Sequence, residues 1–116
     1  LHELGITQEI LTQVLKAAES HQAKKVGLVR LKIGDFTTIE PESIRFYFEQ
    51  IAKETIAQEA RLEIERIRLL MFCEACRKEF YPQDSPPMFL CPSCGGGKVK
   101  ILSGRELQIE DIEIED

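Results

Sequence analysis

Residues 73–96 read CEACRKEFYPQDSPPMFLCPSCGG, and this stretch decides how the rest of the chain is assembled. All four cysteines fall here, as Cys73, Cys76, Cys91 and Cys94, in two C-x2-C pairs with 14 residues between them. A two-residue spacer lets the backbone fold back into a knuckle with both sulfurs pointing inward, and two such knuckles can surround one tetrahedral ion. The separation is one residue below the usual zinc-ribbon range of about 15 to 20. Two disulfides are the alternative. They need an oxidising compartment, whereas the sequence has neither a signal peptide nor a membrane-spanning run and is expected to be cytoplasmic. Zinc is the expected ion: four thiolates fill its shell and leave no position for water or substrate, which makes the site structural. Iron is the second candidate, since CPSCGG would also serve a rubredoxin-like site, although CEACRK lacks the glycine expected of one. The segment between the knuckles, EFYPQDSPPMF, offers little core, so the metal must supply much of the local folding free energy.

On either side of this insert the hydrophobic period alternates between helix and strand. Leu4, Leu11, Val14, Leu15 and Ala18 recur at helical spacing, predicting a helix over residues 4 to 20, with a start near Thr7 as an alternative. His21 then falls at its end, where a protonated imidazole favours the negative pole of the helix dipole; it is expected to be a solvated cap. In VGLVRLKIGD the period becomes two, with Val29, Leu31 and Ile33 inward and Gly34-Asp35 closing a strand. Pro41 suits a first helical turn, flanked by Glu40 and Glu42, and Ile44, Phe48, Ile51 and Ala52 make one apolar face of a second helix expected to run to about Ile56. Leu62 and Ile64 begin another strand, but Arg66 takes the next inward slot, which predicts a bulge or a domain crossing there. After the insert, Leu107 and Ile109 alternate, then Ile112 and Ile114 continue in shifted phase.

Helix, strand, helix, strand, cysteine insert and strand give an α+β fold: a small three-stranded sheet with two helices on one face, plus an inserted zinc-ribbon-like metal domain. The expected division is residues 1–68 with 104–116 as one α/β domain, and residues 69–103 as a zinc-binding domain inserted before the last strand.

Fifteen basic and twenty acidic residues leave a formal charge of -5. Broad phosphate-backbone binding draws its affinity from clustered Lys and Arg, so this balance argues against nucleic acid as a partner, and no membrane partner is expected either. Between Cys73 and Lys100 there are four bases and three acids, which weakens the main alternative, a zinc-ribbon nucleic-acid or transcription module. Six carboxylates and no base follow from Glu106 onward; the interleaved isoleucines place them on a strand edge rather than in a disordered tail. No nucleophile has a sequence-local base and there is no phosphate loop, so an enzyme is not expected.

The opening HEL before an amphipathic helix, the paired knuckles with CPSCGG in the second, and the return GRELQIEDIEIE together resemble the HypA/HybF family of nickel metallochaperones of [NiFe]-hydrogenase maturation. The resemblance spans nearly the whole chain. It implies that His2 is the essential Ni(II) ligand, with Glu3 at the adjacent family position, and that the metal is cargo rather than a resident cofactor. The chemistry suits those positions: the terminal amine of Leu1, the backbone nitrogen of His2 and its imidazole can form fused chelate rings, a nitrogen-rich set for square-planar nickel, completed by the backbone nitrogen or the carboxylate of Glu3. The implied partners are the hydrogenase-maturation GTPase and the hydrogenase large-subunit precursor, with urease maturation in some organisms. One departure stands out: the family begins with methionine and this sequence with Leu1. A UUG initiation codon, an engineered change or residues missing upstream would each account for it, and in the last case the amine donor is lost to an amide.

Overall fold

The computed structural model describes residues 3–83 and 87–116. Helix α1 (Glu3–Ser20), strand β1 (Lys25–Gly34), a 3-10 turn (Asp35–Thr37), helix α2 (Pro41–Ile51) and strand β2 (Arg61–Ile67) come first. Strands β3 (Leu70–Cys73), β4 (Lys78–Phe80), β5 (Val99–Ser103) and β6 (Leu107–Glu115) follow. They form two three-stranded sheets, ordered β2-β1-β6 and β4-β3-β5. The α+β class, the three-stranded first sheet and its two helices agree with the sequence reading. The three short strands around the cysteines had no periodic signal of their own.

β1 is the central strand of the first sheet, parallel to β2 and antiparallel to β6. Its inward residues Val26, Val29, Leu31 and Ile33 are all essentially buried and pack with Ile10, Leu11, Val14 and Ala18 of α1 and Ile44 and Phe48 of α2. The shifted phase of the last strand has a definite cause. Opposite β6, the register slips once at Gly27 and once at Glu110. These two bulges set Val26 against Ile114, Val29 against Ile112, Leu31 against Ile109 and Ile33 against Leu107. A slip of one residue would otherwise turn half of these side chains to solvent. The change of phase at Arg66, in contrast, is the point where the chain leaves one sheet for the other: Ile67 ends β2 and Leu70 begins β3.

Two expectations need correction. α2 ends at Ile51 rather than near Ile56. Ala52 donates the last helical hydrogen bond to Phe48 O, the Thr55 hydroxyl donates to Ala52 O at 2.6 Å, and Glu54 enters the left-handed region at φ 64. The following turns bury Ala57 and bring Ile56 O to the Val26 N–H at 2.9 Å, tying this segment to the start of β1. In α1 the buried stripe includes Thr7 and Ile10, while Leu4 is 42% exposed. Thr7 tolerates burial because its hydroxyl donates to Glu3 O at 2.6 Å.

The acidic end is an edge strand, and its charge is answered by the central strand. Arg30 donates to Glu63, Asp111 and Glu113 at 3.0–3.3 Å, spanning all three strands, and Lys32 pairs with Glu110. The carboxylates along the unpaired edge also discourage edge-to-edge association. His21 caps α1 as expected, with its N–H donating to Ala18 O and its Nδ1 3.2 Å from Ala17 O. Among the described residues no helix is long and apolar enough to cross a membrane.

Candidate metal sites

The cysteine site is built from two turns of the same shape. Cys73 ends β3, and the Arg77 N–H closes the first knuckle on Cys73 O at 2.8 Å; the Gly95 N–H closes the second on Cys91 O at 2.8 Å. The residue after each second cysteine is left-handed, Arg77 at φ 60 and Gly95 at φ 72. Glycine takes that conformation at no steric cost and arginine does not, so the first knuckle carries local strain that the second avoids. The glycine missing from CEACRK is thus missing at the position that would use it. Further hydrogen bonds, from Glu74 N–H to Lys98 O and Cys91 N–H to Gly96 O, lace the two knuckles to the start of β5.

All four sulfurs lie within 4.8 Å of one another. Two of the separations, Cys73 to Cys94 and Cys76 to Cys91, are both 3.6 Å and cross between knuckles. A disulfide would need about 2.05 Å, whereas four sulfurs each about 2.3 Å from a central zinc would stand roughly 3.8 Å apart. The donor set therefore fits a tetrathiolate ion. Cys73 and Cys91 are buried and Cys94 is exposed, so an ion has a route in from the Cys94 side.

Three of the thiols differ in acidity. Backbone N–H groups of Cys94 and Ser93 pull the Cys91 thiol down to about 6, whereas burial, with its neighbouring sulfurs, pushes Cys76 up to about 12. Cys94 is also raised: the Gly96 N–H lowers it, but the Cys73 and Cys91 sulfurs and burial outweigh that. Within the folded knuckles Cys91 is thus more readily ionised than Cys76 or Cys94. In the metal-free chain the knuckles are not held and thiols sit at about 8.5, so zinc capture at about pH 7 should release nearly four protons, and affinity should fall with acid. Calorimetry in buffers of differing ionisation enthalpy counts these protons; capture with release of two or fewer would contradict a tetrathiolate site.

Of the residues expected to hold nickel, Leu1 and His2 lie outside the described residues. Glu3 occupies the first turn of α1, and its carboxylate accepts from the Glu40 N–H at 3.5 Å. Glu40 is the N-cap of α2, its own side chain accepting from the Glu42 N–H. The start of α1 is therefore set against the start of α2, a pairing that sequence spacing gave no means to find. The two sheets also touch through side chains that the sequence reading passed over: Phe36, in the turn after β1, meets Phe89 of the cysteine insert edge to face at 5.5 Å.

The profile of the family described as hydrogenase/urease nickel incorporation, metallochaperone, HypA matches residues 1–114. A hydrogenase maturation factor HypA of Desulfatibacillum aliphaticivorans is 40% identical over 118 residues, covering 100% of this chain and 88% of that protein. The corresponding factor of Caldanaerobacter subterraneus is 39% identical, covering 99% and 100%. Two solution structures share the fold. One, of the Ni metallochaperone HypA from Helicobacter pylori, aligns with TM-score 0.69 at 22% identity over 99% of this chain and 98% of that one. The other, of a HypA protein, aligns with TM-score 0.73 at 23% identity over 97% and 95%.

Proposed function

The chain belongs to the HypA family of hydrogenase and urease nickel-incorporation metallochaperones, which are maturation factors and not enzymes, and from that premise we propose that it binds Ni(II) at its first residues and delivers it to a nickel enzyme under assembly, in the cytoplasm. The observation that carries the reading is the family match beginning at residue 1, which takes in His2 and Glu3.

In this reading the Leu1 amine, the His2 backbone nitrogen and the His2 imidazole chelate the ion, an arrangement that suits square-planar nickel. Glu3 supplies the fourth donor through its backbone nitrogen. Two features support that choice over the carboxylate: N–H groups of a first helical turn have no intrahelical acceptor, and the Glu3 carboxylate is already turned to Glu40. Because amine and imidazole must lose protons, with reference pKa values of about 7.7 to 8.0 and about 6.5, loading strengthens with pH across this range and acid releases the cargo.

The tetrathiolate site holds zinc and shapes the second sheet. It has no part in carrying nickel. The partners are the maturation GTPase and the precursor of the hydrogenase large subunit. The nucleic-acid module is set aside, because a match across residues 1–114 leaves no separate ribbon to explain.

Nickel titration tests the proposal on protein beginning at residue 1, on His2→Ala and on protein with one extra leading residue. Both changes are expected to abolish tight 1:1 binding while zinc stays in place. Unchanged nickel affinity in either would overturn the terminal chelate.

A further inference from the structure

A groove of about 470 Å³ runs beside β5, and none of the four cysteines lines it. Phe36, Met71, Phe89, Val99, Ile101 and Arg105 line it. Lys100 also lines it, so the groove follows three successive residues of β5 rather than one face of the sheet. β5 pairs with β3 on one side only and ends the second sheet, so its other edge offers unpaired backbone groups. An open strand edge beside a shallow groove with apolar side chains in its walls is the arrangement by which extended peptides add to a sheet, backbone bonds giving affinity and side-chain pockets giving selection.

The charge at this place narrows what would bind. Among the described residues no acidic side chain lines the groove, although the chain carries a formal charge of -5. The Lys100 ammonium is turned to the opposite face, 5.5 Å from the Phe72 ring and 4.0 Å from Glu74. The neighbouring Glu106 carboxylate is occupied by the Gly104 N–H at 2.8 Å. Arg105 is exposed and, among the described residues, enters none of the nine ion pairs between Lys25 and Lys100. An exposed guanidinium in such a groove matches a carboxylate, which it can grip with two parallel hydrogen bonds.

We infer that the β5 groove is a docking site for an extended, apolar polypeptide segment that carries a carboxylate, laid along the strand edge with its acid on Arg105. The inference is independent of the nickel reading, since neither His2 nor the cysteines enter it, and its test uses zinc-loaded protein with no nickel present.

The test is an amide NMR titration of the 15N-labelled full chain with an eight-residue peptide of alternating valine and threonine in which one threonine is replaced by glutamate, and with the counterpart carrying lysine at that position. Shifts should concentrate on residues 97–103, with the acidic peptide binding about tenfold more tightly, the ratio expected for one charge-assisted contact. Arg105→Glu should reverse the preference without altering the fold. Ile101→Asp should abolish binding of both peptides, with retained zinc and an otherwise unchanged amide spectrum showing that the variant is folded. Equal affinity for the two peptides, shifts centred elsewhere, no binding at millimolar peptide, or an Arg105→Glu preference that stays acidic would each overturn the inference.

Discussion

Cys73→Ser protein, or the natural chain stripped with a strong chelator, is expected to lose the second sheet and keep the first. The two sheets rest on different sources of stability. The main buried cluster runs from Ile10 to Leu62 and draws on both helices and the first sheet. Beyond it, among the described residues, the buried apolar side chains of the cysteine region are those of Met71, Cys73 and Cys91. Met88, Phe89, Leu90 and Leu102 are exposed. Burying one methionine is worth about 1.5–3 kcal/mol, too little to order the backbone from Leu70 to Ser103, whereas comparable small zinc units gain an apparent ~10 to 16 kcal/mol from the ion. Losing the insert need not unfold the rest, because an unstructured connection between β2 and β6 costs little more as it lengthens, about 0.6 kcal/mol per doubling. Amide signals of residues 70–103 should collapse into the unfolded range while those of β1 and β6 keep their dispersion. A second sheet that survives without metal would contradict the account.

Gly34→Ala should be the most damaging single methyl group outside the cysteines. A Cβ at Gly34 would lie 2.0 Å from Gly104 O and 2.6 Å from Arg105 N, both of them backbone atoms. This close approach is the seam where β1 meets the returning chain: Gly34 N–H donates to Glu106 O and Phe36 N–H to Gly104 O, each at 2.8 Å. Gly104 is itself at φ +116, and a Cβ there would meet Leu69 Cα at 2.7 Å. Three segments thus converge at one point that only glycine fits, and relief requires moving backbone and breaking those hydrogen bonds. The expected loss is about 3 kcal/mol or more, or roughly 10 °C in Tm. Phe36→Leu, which leaves the seam's backbone untouched, should shift Tm by far less. A Gly34→Ala protein melting with the natural chain would show that the seam is not as described.

What could be read from the sequence was what depends on neighbours along the chain. The knuckles were legible because each is closed by its own residues, and the left-handed position after each second cysteine, Arg77 or Gly95, is a local matter. α1, β1 and the start of α2 were legible from period and from Pro41. The end of α2 was not: Ala52 to Ile56 continue a helix-compatible composition, and what stops the helix is the Thr55 hydroxyl and the pairing of Ile56 O with β1, a contact set by tertiary structure. The phase of α1 was misjudged for a similar reason, since Thr7 displaces Leu4 from the buried stripe. The shifted phase of β6 was visible, but only pairing with β1 shows that Gly27 and Glu110 are the two extra residues. The groove beside β5 and the seam at Gly34 and Gly104 arise between segments far apart in sequence, and no spacing rule reaches them.

The account stands on two metals held by two chemistries in one chain. X-ray absorption at the nickel and zinc edges of the same loaded sample tests that separation directly. The expected result is nickel surrounded by nitrogen and oxygen alone, in a planar set, and zinc with four sulfurs at about 2.3 Å. Sulfur in the nickel shell, or a zinc shell that loses sulfur as nickel is added, would contradict it.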